Sequence, residues 1–447
     1  MESDIQIEIP QFSLDPYVNA IIGANDIQSC GIVNQVVGMV LEGRGPAVPI
    51  GGMCRIEVNS GGPGLIAEVV GFKDNHILLM PLGEMRGVEP GAKIWVAEDS
   101  AKVNVGPTLL GRILDGMGNP IDSLPPPTCT DSYPLYANPL NPMERPRIDT
   151  SIDVGIRAIN ACITLGKGQR IGIMAGSGVG KSTLLGMIAR HTSADVSVIA
   201  LIGERGRELR DFIERDLGPD GLKRSVVVVA TSDQPPLIRL RGAYLATAIA
   251  EYFRDQGKDV ILMMDSVTRF AMAYREVGLA IGEPPTSRGY TPSVFAQLPR
   301  LLERAGRKLN AGSITGIYTV LVEGDDMNEP IADAIRSIVD GHIVLSRDLA
   351  HEGHYPAIDI LSSVSRVIRD IAVPGQIPAY QKLVKVFATY KKAEDLINIG
   401  AYSKGSNPDI DYSIEKIDSV KEFLRQDVDE AAPIEASISA LINLFQN

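Results

Sequence analysis

The stretch Ala175-Gly176-Ser177-Gly178-Val179-Gly180-Lys181-Ser182-Thr183 constrains this chain more than any other, because alternating glycines ending in Lys-Ser force a tight turn between two regular elements. The apolar run Ile171-Gly172-Ile173-Met174 before it predicts a buried strand, and Thr183 to Arg190 after it predicts a helix. In that setting successive backbone N–H groups and the helix N-terminus converge on one point, a geometry that holds the β- and γ-phosphates of a nucleoside triphosphate. Lys181 adds a positive charge there, and the Ser182 hydroxyl can ligate Mg²⁺. The usual pattern has glycine five places before its final glycine, and here Ala175 stands in that place. A plain glycine-rich turn is the competing reading, and Lys-Ser in register behind a strand argues against it.

At 447 residues the chain exceeds the size at which one core stops growing, so two or three domains are expected. A net charge of −12 argues against a polynucleotide footprint, which needs a basic surface, so no nucleic-acid partner is expected. Cys30, Cys54, Cys129 and Cys162 are far apart, in no CxxC or Cys/His pattern. With no secretory leader and no apolar run of membrane-spanning length, reduced thiols and a cytosolic protein are expected. His342, His351 and His354 lie close together but offer no i, i+4 pair, so no metal role is assigned to them.

Strand-like runs at Gly31 to Leu41, Met53 to Val58, Ile66 to Val70, His76 to Met80 and Lys93 to Val96, separated by turn residues, predict a small N-terminal β-barrel. From Pro120 through Pro146 the chain carries many prolines, which predicts an extended segment unable to pair regularly in a sheet. Beyond it the pattern alternates. Strands are expected at Ile171 to Met174, Val196 to Ile202, Ser225 to Ala230, Val260 to Asp265, Ile314 to Val322 and Gly341 to Leu345, forming a parallel sheet with covered faces. From Pro374 apolar residues recur at helical spacing over Ala379 to Ile399, Ile414 to Leu424 and Ile434 to Phe445. The expected organisation is a tail over 1–26, a β-barrel domain over 27–100, an α/β phosphate-loop domain over 101–373 with a proline-rich boundary at 120–146, and a helical domain over 374–447.

Open α/β sheets bind ligands at the carboxyl ends of their strands, and carboxylates stand there. Asp265 leaves the apolar run Val260-Ile261-Leu262-Met263-Met264, where it can hold Mg²⁺ directly or through water. Gly203-Glu204-Arg205-Gly206-Arg207-Glu208 follows Val198-Ile199-Ala200-Leu201-Ile202. Glu204 there can orient a water for in-line attack on the γ-phosphorus, with Glu208 the competitor and a solvated turn the alternative to both. Arg366, in Ser363-Val364-Ser365-Arg366, is remote from the phosphate loop; it reads either as a surface arginine or as a finger completing an adjacent subunit's site.

From about Gly31 to Leu424 the chain resembles the flagellar and type III secretion export ATPases, relatives of the rotary ATP synthase catalytic subunit. Gly168-Gln169-Arg170-Ile171-Gly172-Ile173 leading into the Ala175 to Ser182 loop carries the resemblance, so Ala175 is a family trait. Further matches are Gly203 to Glu208, Asp265-Ser266-Val267-Thr268-Arg269-Phe270-Ala271, Gly282 to Tyr290, His354-Tyr355-Pro356-Ala357-Ile358-Asp359 and Ser363 to Arg366. The C-terminal run Leu396 to Gly405 and Phe423-Leu424-Arg425-Gln426 resemble the export branch, and Gly400-Ala401-Tyr402 leans flagellar. No acidic Asp-Glu-Leu-Ser-Glu-Glu-Asp segment occurs between Ala379 and Asn447.

The resemblance implies a RecA-like phosphate-loop ATPase core flanked by a small β-barrel and a helical domain, hydrolysing Mg-ATP. It implies catalytic roles for Glu204, Lys181, Arg205 and Arg366, with Arg205 facing phosphate and Arg366 acting across subunits of a homohexamer. Gly176, Ser177, Gly178, Val179, Gly180, Lys181, Ser182 and Thr183 would bind nucleotide, Tyr355 would pack on adenine, and Ser182 with Asp265 would hold Mg²⁺. From the residues alone Tyr355 reads as a core tyrosine. The loop Gly282 to Tyr290 would face the ring's channel, although its polar composition equally fits an ordinary solvated loop. Implied partners are stator or stalk proteins, the export gate and chaperone–substrate complexes, at the cytoplasmic face of the inner membrane. A subunit of a rotary proton or sodium ATPase, and an RNA-translocating ring, are the alternatives weighed. The second needs a polynucleotide-binding barrel, and Gly31 to Val96 shows little aromatic and basic interleaving.

Overall fold

The computed structural model describes residues 29–58, 64–98, 101–322 and 326–446, with Leu14, Val18 and Gly324. The expectation of a tail over 1–26 lies outside the described residues apart from those two. The chain divides into two compact units, 1–100 and 101–447.

In the first unit β1 (Cys30–Val37), β2 (Val40–Arg44), β3 (Met53–Ile56), β4 (Leu65–Lys73), β5 (His76–Pro81) and β6 (Lys93–Glu98) form a closed barrel in the order β1-β2-β5-β4-β3-β6. The period-2 rule decides its interior: Leu65, Ala67 and Val69 of β4 point inward with Ile77 and Leu79 of β5, Cys54, Ile56 and Ile94. Asp74 and Asn75, both at positive φ, make the two-residue turn between β4 and β5, a type suited to residues with short polar side chains. The expected single run Gly31 to Leu41 is instead a hairpin. Gly38 at φ 59° turns the chain, because Val37 and Val40 pair across it.

In the second unit β7 (Lys102–Val105) pairs antiparallel with β9 (Asp131–Pro134), and β8 (Ile113–Asp115) lies between them in sequence. This corrects the expectation that the proline-rich stretch cannot pair. Pro134 occupies the last position of a strand in a two-stranded sheet, where a missing N–H is tolerated. β10 (Ser151–Ile152) and β11 (Leu165–Gly166) form a second small pair.

The main sheet comprises β8 with β12 (Arg170–Ala175), β13 (Val196–Ile202), β14 (Ser225–Ala230), β15 (Asp259–Asp265), β16 (Gly306–Arg307), β17 (Ser313–Leu321), β18 (Gly341–Leu345) and β19 (Ile358–Ser365). Its order is β19-β18-β12-β17-β15-β13-β14-β8, with β16 beside β17. The strands from β18 to β8 run parallel, whereas β19 and β16 are antiparallel, so the expectation of a purely parallel sheet is corrected at these two places. β13 and β14 are buried along their whole length, as apolar strands covered on both faces must be.

Alternate residues of these strands set the two faces. Ile171, Ile173, Ile199, Leu201, Met263 and Ile317 share one core with Leu184, Leu185 and Ile188 of the helix Lys181–His191. That core continues into Leu383, Val420 and Leu441 of the C-terminal helices Gln376–Asn398, Pro408–Leu424 and Ile434–Leu444. Leu383 is fully buried, and truncating such a side chain to alanine costs roughly 2–5 kcal/mol. The helix Pro236–Asp255 lies against β13, β14 and β15.

Candidate nucleotide site

The phosphate loop leaves β12 at Ala175, between Leu321 of β17 and Leu345 of β18. Its turns need glycine where φ is positive, at Gly178 (79°) and Gly180 (88°). Val179 is buried in the core and pins the loop, while Ser182 stands exposed in the first helical turn. The unpaired N–H groups of that turn and the helix dipole leave the loop electropositive.

Parallel pairing puts Leu201 of β13 beside Asp265 of β15, so Glu204 and Asp265 emerge at the same sheet edge as the loop. Lys181 Nζ lies 2.5 Å from Asp265 Oδ1 and 3.5 Å from Glu204 Oε1. Burial works against the lysine charge, but Asp265 and Glu204 outweigh it and hold its pKa above the ordinary value. The Glu204 pKa is raised, chiefly by burial and further by Asp265, with Lys181 opposing. Thr319 Oγ1 donates to Asp265 Oδ1 at 2.7 Å, so the hydrogen bonds of this carboxylate fall on one oxygen. The Ser266 hydroxyl accepts from Arg269 N and caps the next helix, which fixes the chain just beyond Asp265.

Of the two glutamates left open by spacing, Glu204 is therefore the one at the lysine, while the Glu208 side chain is 55% exposed. Arg205 does not join the cluster: its side chain is 83% exposed, 3.9 Å from Glu208. Arg269 packs its Cβ against Gly203, just before Glu204, so closely that a Cβ on Gly203 would stand 2.7 Å from it. Position in a matched run was its only signal in the sequence.

Beside the loop opens a cavity of about 330 Å³ lined by Gly180, Thr183, Tyr355, Pro356, Gln426 and Val428 among others. Tyr355, half-exposed, faces Gly180, where an added Cβ would stand 3.5 Å from its ring, so it is not the core tyrosine that the residues alone suggest. Gln426 and Val428 were not legible as site residues, because they enter from beyond the helix Pro408–Leu424.

Arg366 lies elsewhere. β19 begins at Ile358 opposite Leu345, next to the loop, and ends at Ser365 opposite Gly341. About 13 Å of strand, at roughly 3.3 Å per residue, separates Gly341 from Leu345. Arg366 is thus exposed at the end of the sheet away from its own loop, with Nη2 donating to the Arg336 carbonyl at 3.2 Å. In the loop Gly282 to Tyr290, Arg288 is at φ 49° and pairs with Asp326 at 2.8 Å.

Among the described residues no cluster of three or more His, Cys, Asp or Glu could hold a metal, and no helix is long and apolar enough to cross a membrane. The donor set at the loop nonetheless suits Mg²⁺: a hard carboxylate with one oxygen free of hydrogen bonds, a serine hydroxyl, and a site for phosphate oxygens.

A phosphate loop on a parallel sheet, with a lysine held between two carboxylates and a small barrel ahead of it, defines a nucleotide-binding protein of the ATP synthase alpha/beta type. Residues 155–365 match the nucleotide-binding domain of the ATP synthase alpha/beta family and 33–95 its beta-barrel domain. Residues 373–443 match the C-terminal domain of the type III secretion ATPase EscN. The chain is 54% identical over 418 residues to the flagellum-specific ATP synthase of Bacillus subtilis, covering 93% of this chain and 95% of that protein. It is 48% identical over 414 residues to the type 3 secretion system ATPase of Xanthomonas euvesicatoria, covering 93% of each. The assembled ATPase EscN of enteropathogenic E. coli superimposes with a TM-score of 0.88 at 46% identity, over 93% of this chain and 99% of that one. EscN in complex with its central stalk EscO gives 0.85 at 45%, over the same shares. The chain belongs to the ATP synthase alpha/beta family, in the branch of flagellar and type III secretion ATPases.

Proposed function

We propose that this chain is the Mg-ATP hydrolase of a flagellar or type III protein export apparatus, working as a homohexameric ring. The observation that carries the reading is the convergence of Lys181, Asp265 and Glu204 on the phosphate loop while Arg366 faces away from it. Loop N–H groups and Lys181 bind the β- and γ-phosphates, and Tyr355 packs on adenine. Ser182 and Asp265 hold Mg²⁺, which neutralises charge on the phosphoryl oxygens when bound. Glu204, whose pKa burial raises, orients water in line with the γ-phosphorus and accepts its proton. As the water oxygen bonds to phosphorus the bridging bond to ADP breaks, and the water proton passes to Glu204. Arg205 stands next to Glu204 and swings from solvent onto phosphate when nucleotide is bound.

Arg366 serves the neighbouring subunit, where such a finger contributes on the order of 10³ to 10⁵ in turnover. The ring binds a central stalk and acts at the cytoplasmic face of the inner membrane, releasing export substrates from chaperones. The test is subunit mixing. Glu204→Gln binds ATP but turns it over at most about a hundredth as fast, and inactive Arg366→Ala mixed with inactive Glu204→Gln recovers activity. Failure to recover at every ratio, or unimpaired turnover by Glu204→Gln, overturns the assignment.

A further inference from the structure

The segment Arg425 to Glu430, between two C-terminal helices, forms one wall of the cavity beside Tyr355. It is an irregular strap, yet its anchorage is dense. Gln426 is buried, and its backbone N–H donates to the Tyr355 carbonyl at 3.0 Å. Its side-chain Oε1 accepts from Arg157 N at 2.7 Å, while Nε2 donates to the Gly155 carbonyl at 2.8 Å and the Glu430 carbonyl at 2.7 Å. Those partners fix the amide orientation, since a backbone N–H needs the oxygen and two carbonyls need the NH₂.

The partners are themselves held by close packing and hydrogen bonds. Gly155, at φ 70°, abuts His191 at the end of the phosphate-loop helix so closely that a Cβ there would stand 2.2 Å from His191 Cβ. Arg190 of the same helix donates to the Val428 carbonyl at 2.6 Å. Arg157 ties the Arg425 carbonyl at 2.8 Å and pairs with Glu430. A closed ring of hydrogen bonds and one packing contact therefore runs from Gln426 to Gly155, across to His191 and Arg190 at the end of the phosphate-loop helix, and back through Val428, with Tyr355 tied to it by its carbonyl.

From this closed ring we infer that Gln426 is a positioning residue for nucleobase binding, holding Tyr355 and the strap at the distance an adenine ring needs without touching the phosphates. Both side-chain donors of Gln426 are spent on carbonyls of the chain, so its contribution is geometric. The inference rests on the cavity being the base site, as proposed above. Its signature is a split: base affinity falls while phosphate grip and chemistry stay, because the ring meets the phosphate-loop helix only at Arg190 and His191, the end away from Lys181, and its hydrogen bonds involve none of Lys181, Asp265 and Glu204.

The experiment measures KM and kcat for Mg-ATP, and the inhibition constant of inorganic tripolyphosphate against ATP hydrolysis, in wild type, Gln426→Ala, Gln426→Glu and Tyr355→Ala. Gln426→Ala is expected to raise KM for ATP roughly tenfold, equivalent to about 1.4 kcal/mol, with kcat within about threefold and the tripolyphosphate constant unchanged. Gln426→Glu keeps the acceptor for Arg157 N and loses the donors to the carbonyls, so it serves as the second variant if the alanine chain does not fold. Unchanged KM in a folded variant, a fall in kcat at constant KM, or parallel weakening of ATP and tripolyphosphate overturns the inference. If Tyr355→Ala raises KM for ATP and the Gln426 variants do not, only the role of Gln426 fails. If Tyr355→Ala also leaves KM unmoved, the base-site reading fails with it.

Discussion

His354 precedes the cavity tyrosine and is almost completely buried, with neither ring nitrogen hydrogen-bonded. Burial, reinforced by repulsion from Arg425 and Lys421 and only partly offset by Glu352, brings its pKa down to about 4. The unfolded chain, with an ordinary histidine pKa near 6.5, takes up this proton first as pH falls, so the folded state is penalised by acid. Stability is intact above about pH 6.5 and is lost progressively down to about pH 4. At about pH 5 the cost is roughly 2 kcal/mol, and below both pKa values it approaches about 3 kcal/mol. His354→Leu removes the titration and replaces unsatisfied polar atoms with apolar ones, a change expected to be near neutral at pH above 7. Urea unfolding of wild type and His354→Leu, compared at about pH 7.5 and about pH 5, should show the variant gaining roughly 2 kcal/mol relative to wild type at the lower pH. Taking the difference between the two chains cancels every titration they share. A difference that is the same at both pH values would refute the reasoning.

Gly155→Ala forces a Cβ to 2.2 Å from His191 Cβ at φ 70° and should lower stability by about 2–5 kcal/mol in thermal unfolding; a neutral result would mean this backbone relaxes freely. Arg304, wholly buried, donates to both carboxylate oxygens of Glu251 at 2.9 and 2.6 Å. Arg304→Met should cost roughly 3–5 kcal/mol by stranding that carboxylate, and adding Glu251→Leu should recover much of it in a double-mutant cycle. Because burial raises the Glu204 pKa, kcat should fall on the acid side with a midpoint above the ordinary glutamate value of about 4.3, and a midpoint at or below that value would remove Glu204 as the proton acceptor.

Most of the parallel strands were legible as apolar runs, β13 and β14 buried on both faces, and β13, β14 and β18 span the residues their sequences predict. β8 and β19 were not. Ile113-Leu114-Asp115 is too short to carry a period, and Ile358 to Ser365 mixes three serines and an aspartate into an edge strand whose register shifts against β18. The site followed the same division. Lys181, Glu204 and Asp265 stand at strand or helix ends, where a sequence motif fixes geometry locally. Gln426 and Val428 come to the cavity through the packing of the C-terminal helices on the phosphate-loop face, a long-range contact that no local pattern encodes.

β19, one of the strands missed in the sequence, is also the one that joins the two halves of the proposed mechanism. Tyr355 stands just before β19 and Arg366 just after it, so one element carries the cavity tyrosine at one end and the outward arginine at the other. β19 pairs only with β18, and its Asp359 to Ser363 stretch satisfies itself through Ser363 Oγ to the Asp359 carbonyl at 2.6 Å and Ser362 Oγ to Asp359 Oδ2 at 2.8 Å. The arginine end of the strand is anchored beyond β18 as well, since Ser365 Oγ donates to the Thr164 carbonyl at 3.1 Å and Arg366 N donates to the Asp340 carbonyl at 2.9 Å. On the proposed reading, the base site of one subunit and the arginine offered to the next are therefore joined covalently through one anchored strand.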